Sequence, residues 1–122
     1  MKTALLLMAH GSRQEEANAE LTQVVEELRG CGKYAFVEGS FLELAAPSIE
    51  LAAEKCVALG AQRVIMLPYF LSAGLHFRRD LTKIKAQLAS RFPKVQFRLA
   101  EPLGPHPLLT EIILDRARQV AD

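Results

Sequence analysis

The chain has little that would mark it for a specialised environment. Its 15 basic and 14 acidic side chains leave a net charge of only +1. No global field therefore draws it to nucleic acid or to an anionic membrane, and any basic recognition must be local. Its two cysteines, Cys31 and Cys56, form no C-x-x-C pair and match no metal-site spacing. They read as free thiols in a reducing compartment. No stretch approaches the roughly 20 apolar residues of a membrane span. The first apolar run follows a single Lys2 and is too short for a secretion leader with a cleavage site. There is no G-x-x-x-x-G-K-S/T sequence, hence no P-loop for ATP. Linkers, low-complexity tracts and internal repeats are also missing. These absences predict a cytoplasmic protein with no nucleic-acid partner and no membrane partner. At 122 residues the chain is long enough for one domain with a real core and too short for two, so residues 1–122 are read as a single domain.

What is present alternates. Apolar runs predict strands at Ala4–Ala9, Tyr34–Leu42, Arg63–Leu67 and Val95–Leu99. Between them, apolar residues at spacings of three and four predict helices. The first covers Arg13–Arg29, with Ser12 and Glu15 as a capping box and Gly30 and Gly32 as the stop. The second runs from Pro47 to Leu59 with Gly60 behind it. The third starts near Arg78 to Asp80, after an apolar loop from Tyr69 to His76, and ends before Pro93. The fourth starts at Pro107 and offers Leu109, Ile112, Ile113, Ala117 and Val120 as a buried face. Gly39-Ser40 interrupts the second strand, at a bulge or a close backbone approach. A βαβαβαβα pattern implies an α/β fold: a four-stranded parallel sheet with helices on both faces and right-handed crossovers. The expected strand order is 2-1-3-4, which puts a ligand crevice at the switch point between the first and third strands.

Three residues with metal-binding or proton-transfer chemistry fall on the rim at the strand ends. His10 follows the first strand, Glu43 the second and His76 the loop after the third, each 33 residues from the next. Two neutral imidazoles and a carboxylate suit a divalent first-row cation and leave positions open for substrate. Arg13, Arg78, Arg79 and Lys83 lie nearby, where arginine forks and helix N-termini favour carboxylates. Gly11 and Gly74 permit close backbone approach to something large or flat. Phe70, Leu71, Leu75 and Phe77 make the loop before the third helix apolar, which fits a partly hydrophobic ligand or a subunit contact. Each residue alone has a plainer reading. A histidine after a strand is usually a hydrogen-bonded turn residue, Glu43 a surface carboxylate, Ser12 a helix cap and His106 the cap of the fourth helix.

Four ordered motifs carry a resemblance. They are Leu7-Met8-Ala9-His10-Gly11-Ser12-Arg13; Phe41-Leu42-Glu43 with Pro47-Ser48-Ile49; Leu67-Pro68-Tyr69-Phe70-Leu71 with Gly74-Leu75-His76 and Asp80; and Pro102-Leu103-Gly104-Pro105-His106-Pro107. Together they resemble the sirohydrochlorin chelatase family of the CbiX/SirB type, over essentially the full chain. The resemblance implies a flavodoxin-like chelatase fold. It implies ATP-independent insertion of Co²⁺ or Fe²⁺, or in some short relatives Ni²⁺, into sirohydrochlorin for cobalamin or siroheme synthesis. The metal is a substrate, and no organic cofactor is expected. His10 and His76 match the family's metal-binding histidines and Glu43 its acidic partner. Arg13, Arg78, Arg79 and Lys83 become candidates to grip the eight carboxylates of sirohydrochlorin, with Leu71 and Gly74 beside the macrocycle. Many family members carry two such units around the tetrapyrrole. A single unit implies a homodimer with the site at its interface.

Two other activities compete. Histidine phosphatases carry an arginine immediately before the His-Gly pair, where this chain has Ala9. A non-catalytic metal or tetrapyrrole carrier would use the same ligands without turnover.

Overall fold

A computed structural model describes residues 1–72 and 74–121. Strands β1 (Thr3–Ala9), β2 (Phe36–Phe41), β3 (Arg63–Pro68) and β4 (Gln96–Leu99) form one parallel sheet in the order β2-β1-β3-β4. The expected order holds. β1 is central because Leu5, Leu6, Leu7 and Met8 are all buried, as in a strand covered on both faces.

Helices α1 (Glu15–Cys31), α2 (Ile49–Ala58), α3 (Leu75–Arg91) and α4 (Pro107–Gln119) follow the strands in turn. α1 covers one sheet face, setting Leu21 and Val25 against Leu5, Leu7, Val37 and Phe41. α2 and α3 cover the other, where Ile49, Ala53, Cys56, Leu81 and Leu88 meet Leu6, Met8, Val64 and Met66. Each fully buried large aliphatic side chain contributes about 2 kcal/mol. Among the described residues no helix is long and apolar enough to cross a membrane.

Several local expectations are corrected. Ser12 does not cap α1. Its Oγ accepts the Gln14 N–H at 3.1 Å, and its backbone is bracketed by the Asn18 side chain at 2.8 and 3.0 Å. The helix therefore begins at Glu15 behind Gln14, with no side-chain cap. Gly32, with φ at 67°, is the stop, and Gly30 lies inside the helix. α2 begins at Ile49 rather than Pro47, because the Ser48 hydroxyl accepts the Leu51 N–H at 3.2 Å while the Pro47 carbonyl is engaged by the Phe41 N–H. α3 begins at Leu75, since the Gly74 carbonyl accepts the Arg78 N–H at 3.1 Å. Leu75, His76 and Phe77 are thus its first turn and not loop. Gly39-Ser40 makes no bulge, because the register runs through it unbroken. Its glycine is a close approach: a Cβ there would lie 3.1 Å from Leu21 and 3.2 Å from Val25 of α1.

The largest correction concerns α4. None of its residues is buried. Ile112, Ile113 and Val120, expected against the core, are 49%, 67% and 82% exposed.

Candidate functional site

The rim is built by extending the sheet ladder beyond its strands. The Leu42 N–H donates to the Ala9 carbonyl at 2.9 Å and the Glu43 N–H to the His10 carbonyl at 3.1 Å. Glu43 is thereby fixed beside His10 through backbone. Gly11 makes this possible. Its φ is +96°, and a Cβ there would sit 1.7 Å from the Glu43 carbonyl oxygen, so the room that glycine leaves is filled by the neighbouring loop and not by a ligand. That loop returns through Leu44, at φ 64°, and is closed where the Phe41 N–H meets the Pro47 carbonyl at 2.9 Å.

On the other side, the Tyr69 N–H donates to the Met8 carbonyl at 2.7 Å, which carries Phe70 to the end of β1. The half-buried His10 imidazole packs against Phe70 and Phe77, at centroid distances of 4.6 and 4.4 Å, the second edge-on. Two rings therefore set the imidazole plane. His76 lies one residue before Phe77, with a side chain 87% exposed and its Nε2 3.5 Å from the Asp80 carboxylate one turn on.

The rim thus joins His10 to Glu43 by a backbone hydrogen bond and to the neighbourhood of His76 by Phe77. The side chains themselves are spread. Among the described residues, no three His, Cys, Asp or Glu side chains lie close enough to hold a metal ion together. The basic residues divide in two. Arg78, Arg79 and Lys83 line a shallow groove along α3, whereas Arg13 stands apart, with Leu44 and Ala46 near the start of α1. Leu71 and Leu75 are 63% and 65% exposed at the mouth, and nothing lies within 4 Å of a Cβ placed on Gly74. His106 caps α4, its Nδ1 accepting the Leu108 N–H at 3.1 Å.

Sequence reasoning missed three relations. Phe70 and Phe77 are the neighbours that orient His10. Asp80 faces His76, as the four-residue spacing on one helix allowed. Glu101 lies 3.8 Å from Arg78, a partner signalled by its position at the end of the fourth strand, on the same rim.

Comparison with known proteins agrees with this architecture. The CbiX family model matches residues 4–120. The chain is 38% identical to the chloroplastic sirohydrochlorin ferrochelatase of Arabidopsis thaliana over 92% of its own length and 50% of that protein's. It is 33% identical to the sirohydrochlorin cobaltochelatase of Sulfolobus acidocaldarius, over 94% of this chain and 89% of the relative. The sirohydrochlorin chelatase SirB from Bacillus subtilis subspecies spizizenii in complex with cobalt superposes with a TM-score of 0.91 at 31% identity, covering 99% of this chain and 52% of that one. The chain therefore spans about half the length of its longer relatives and nearly all of the short one. With the family model covering the sheet, all four helices and the rim from His10 to His106, the chain belongs to the CbiX family.

Proposed function

We propose that residues 1–122 form one catalytic unit that inserts a divalent cation, Co²⁺ or Fe²⁺ or Ni²⁺, into sirohydrochlorin without ATP. The observation that carries this reading is the oriented, half-buried His10 imidazole on an open rim shared with Glu43 and His76. A cation caged by three protein ligands would be hard to give up. Loosely spaced donors suit a metal that must pass to pyrrole nitrogens. Insertion replaces two pyrrole N–H bonds with two nitrogen–metal bonds and releases two protons, with no change of oxidation state. In this reading His10 and His76 hold the cation from one face, and His10 takes a proton as nitrogens displace it. Glu43 assists as ligand or acceptor. Both imidazoles bind a cation through a nitrogen lone pair, so each must present its neutral form to the metal. Arg78, Arg79 and Lys83 on one side and Arg13 on the other grip carboxylates of the substrate. The exposed Leu71 and the open Gly74 flank its flat face.

One rim is too small to bury a macrocycle, whereas ligand sites normally bury most of their ligand. We place the substrate between the facing rims of a homodimer. A reducing compartment such as the cytoplasm fits the free thiols of Cys31 and Cys56.

His10→Ala tests the assignment. Metal insertion, followed by visible absorption, is expected to fall at least ~100-fold, with the melting temperature and oligomeric state retained. A folded variant that still turns over contradicts the assignment.

A further inference from the structure

The two histidines of the rim are held differently. His10 is clamped, with Phe70 and Phe77 standing 4.6 and 4.4 Å from its ring centroid. His76 meets Phe77 only at 6.2 Å, and its side chain is 87% exposed. Ring packing therefore leaves the His76 imidazole free to turn. Yet a histidine ligand needs its ring orientation and its protonated nitrogen set, because the two ring nitrogens are distinct. The group placed to set them is Asp80. α3 begins at Leu75, which puts His76 in its first turn and Asp80 one turn on, along the same helical face. The Asp80 Oδ2 lies 3.5 Å from the His76 Nε2. The basic residues between them turn elsewhere: Arg78 reaches Glu101 at 3.8 Å, and Arg79 lines the groove along α3. Nor is the pair a device for helix stability. A carboxylate placed after a basic group is the weaker order along a helix, and exposed pairs of this kind contribute little.

We infer that Asp80 is a positioning residue: its carboxylate takes the Nε2–H of His76 and so leaves the Nδ1 lone pair for the incoming cation. An ionised carboxylate only accepts hydrogen bonds, so the ring nitrogen facing it is the one that carries the hydrogen. A neutral imidazole has one such nitrogen, and the other is then the ligand atom. Metal-binding histidines are regularly oriented in this way by a carboxylate behind the ring. At 3.5 Å the contact is looser than a mature hydrogen bond. That suits a ligand that must give up its cation to pyrrole nitrogens, because Asp80 biases the ring without locking it. His10 is thus set by packing and His76 by one carboxylate. The inference rests on His76 as a cation ligand, as proposed above.

Co²⁺ titrated into the protein without tetrapyrrole, followed by calorimetry, reads the ligand set apart from turnover. Asp80→Ala puts a better helix former at an exposed helical position, so the fold should persist. Co²⁺ binding should weaken ~10–100-fold, the apparent KM for Co²⁺ should rise with it while kcat changes less, and Asp80→Glu should restore most of the loss. In a His76→Ala background, Asp80→Ala should cost nothing further. An equal loss in both backgrounds overturns the inference, because Asp80 then acts on the cation without His76. So does an Asp80→Ala chain that binds Co²⁺ like the wild type while His76→Ala does not. Nitrogen NMR of the metal-free protein at about pH 8, above the ordinary histidine range, should find His76 protonated at Nε2, and protonation at Nδ1 overturns the inference. If His76→Ala leaves Co²⁺ binding unchanged, His76 is no ligand and the inference falls with that assignment, whereas the His10→Ala test above stands apart.

Discussion

Gly11→Ala is the smallest change that should separate His10 from Glu43. The new methyl would lie 1.7 Å from a backbone oxygen, that of Glu43, at a φ of +96°. No rotamer relieves it, since neither partner is a flexible side chain. The left-handed backbone costs a non-glycine residue about 1–2 kcal/mol. Moving the Glu43 loop away breaks the hydrogen bond from the Glu43 N–H to the His10 carbonyl, about 1 kcal/mol more. The sum, roughly 2–3 kcal/mol, belongs with the larger single-residue effects and lowers the melting temperature by roughly 8–12 °C for a chain of this size. Gly30→Ala is the control. Gly30 lies inside α1 with nothing within 4 Å of its would-be Cβ, so alanine should stabilise the helix by about 0.5–1 kcal/mol. Thermal melts followed by circular dichroism read both variants. Metal insertion measured well below either melting temperature should be depressed in Gly11→Ala alone. If the two variants melt together and work equally well, the coupling of His10 to Glu43 through Gly11 is wrong.

Other perturbations reach other parts of the account. Phe77→Ala removes the edge-on partner of His10, an aromatic contact of about 1 kcal/mol. Stability should fall modestly while the initial insertion rate drops roughly tenfold through lost orientation; an unchanged rate would mean that Phe77 does not position the imidazole. Cys31 is exposed and Cys56 buried, so a thiol reagent should titrate one group in the native protein and two after unfolding. Burial, and then the charge of Glu38, push the Cys56 thiol up to about 11 from 9.0. A raised value means that the unfolded chain ionises first, so stability that is complete below pH 9 is lost as pH rises from 9 towards 11. The urea midpoint across that range reads it, and Cys56→Ala should flatten the decline.

The sheet was legible because its strands are apolar runs bounded by turn residues, and because alternation with helices leaves few topologies open. The rim positions of His10, Glu43 and His76 followed from the same alternation. Helix starts were less legible. Ser12 and Glu15 satisfy a capping pattern, yet Asn18 competes for the Ser12 backbone and delays α1 by two residues. The start of α3 carries no polar cap at all, because Gly74 supplies only its backbone. Apolar spacing hid the first turn within what read as a loop. For α4 the period was right and its meaning was not. A stripe of apolar residues records that a face is to be covered, without saying whether the cover is the chain's own sheet or another molecule. The spread of the rim side chains was equally out of reach, since strand order fixes which edge a residue occupies and not how far its side chain stands from the next.

The central claim is catalysis rather than carriage. Sirohydrochlorin and Co²⁺ mixed with the protein at one part in a hundred, followed by visible absorption, tests it most directly. Complete conversion of the tetrapyrrole to its cobalt form, at a rate proportional to protein and above the protein-free control, is the predicted result. A spectral change that stops at one equivalent per site, with no further turnover, would contradict it and mark the rim as a carrier's.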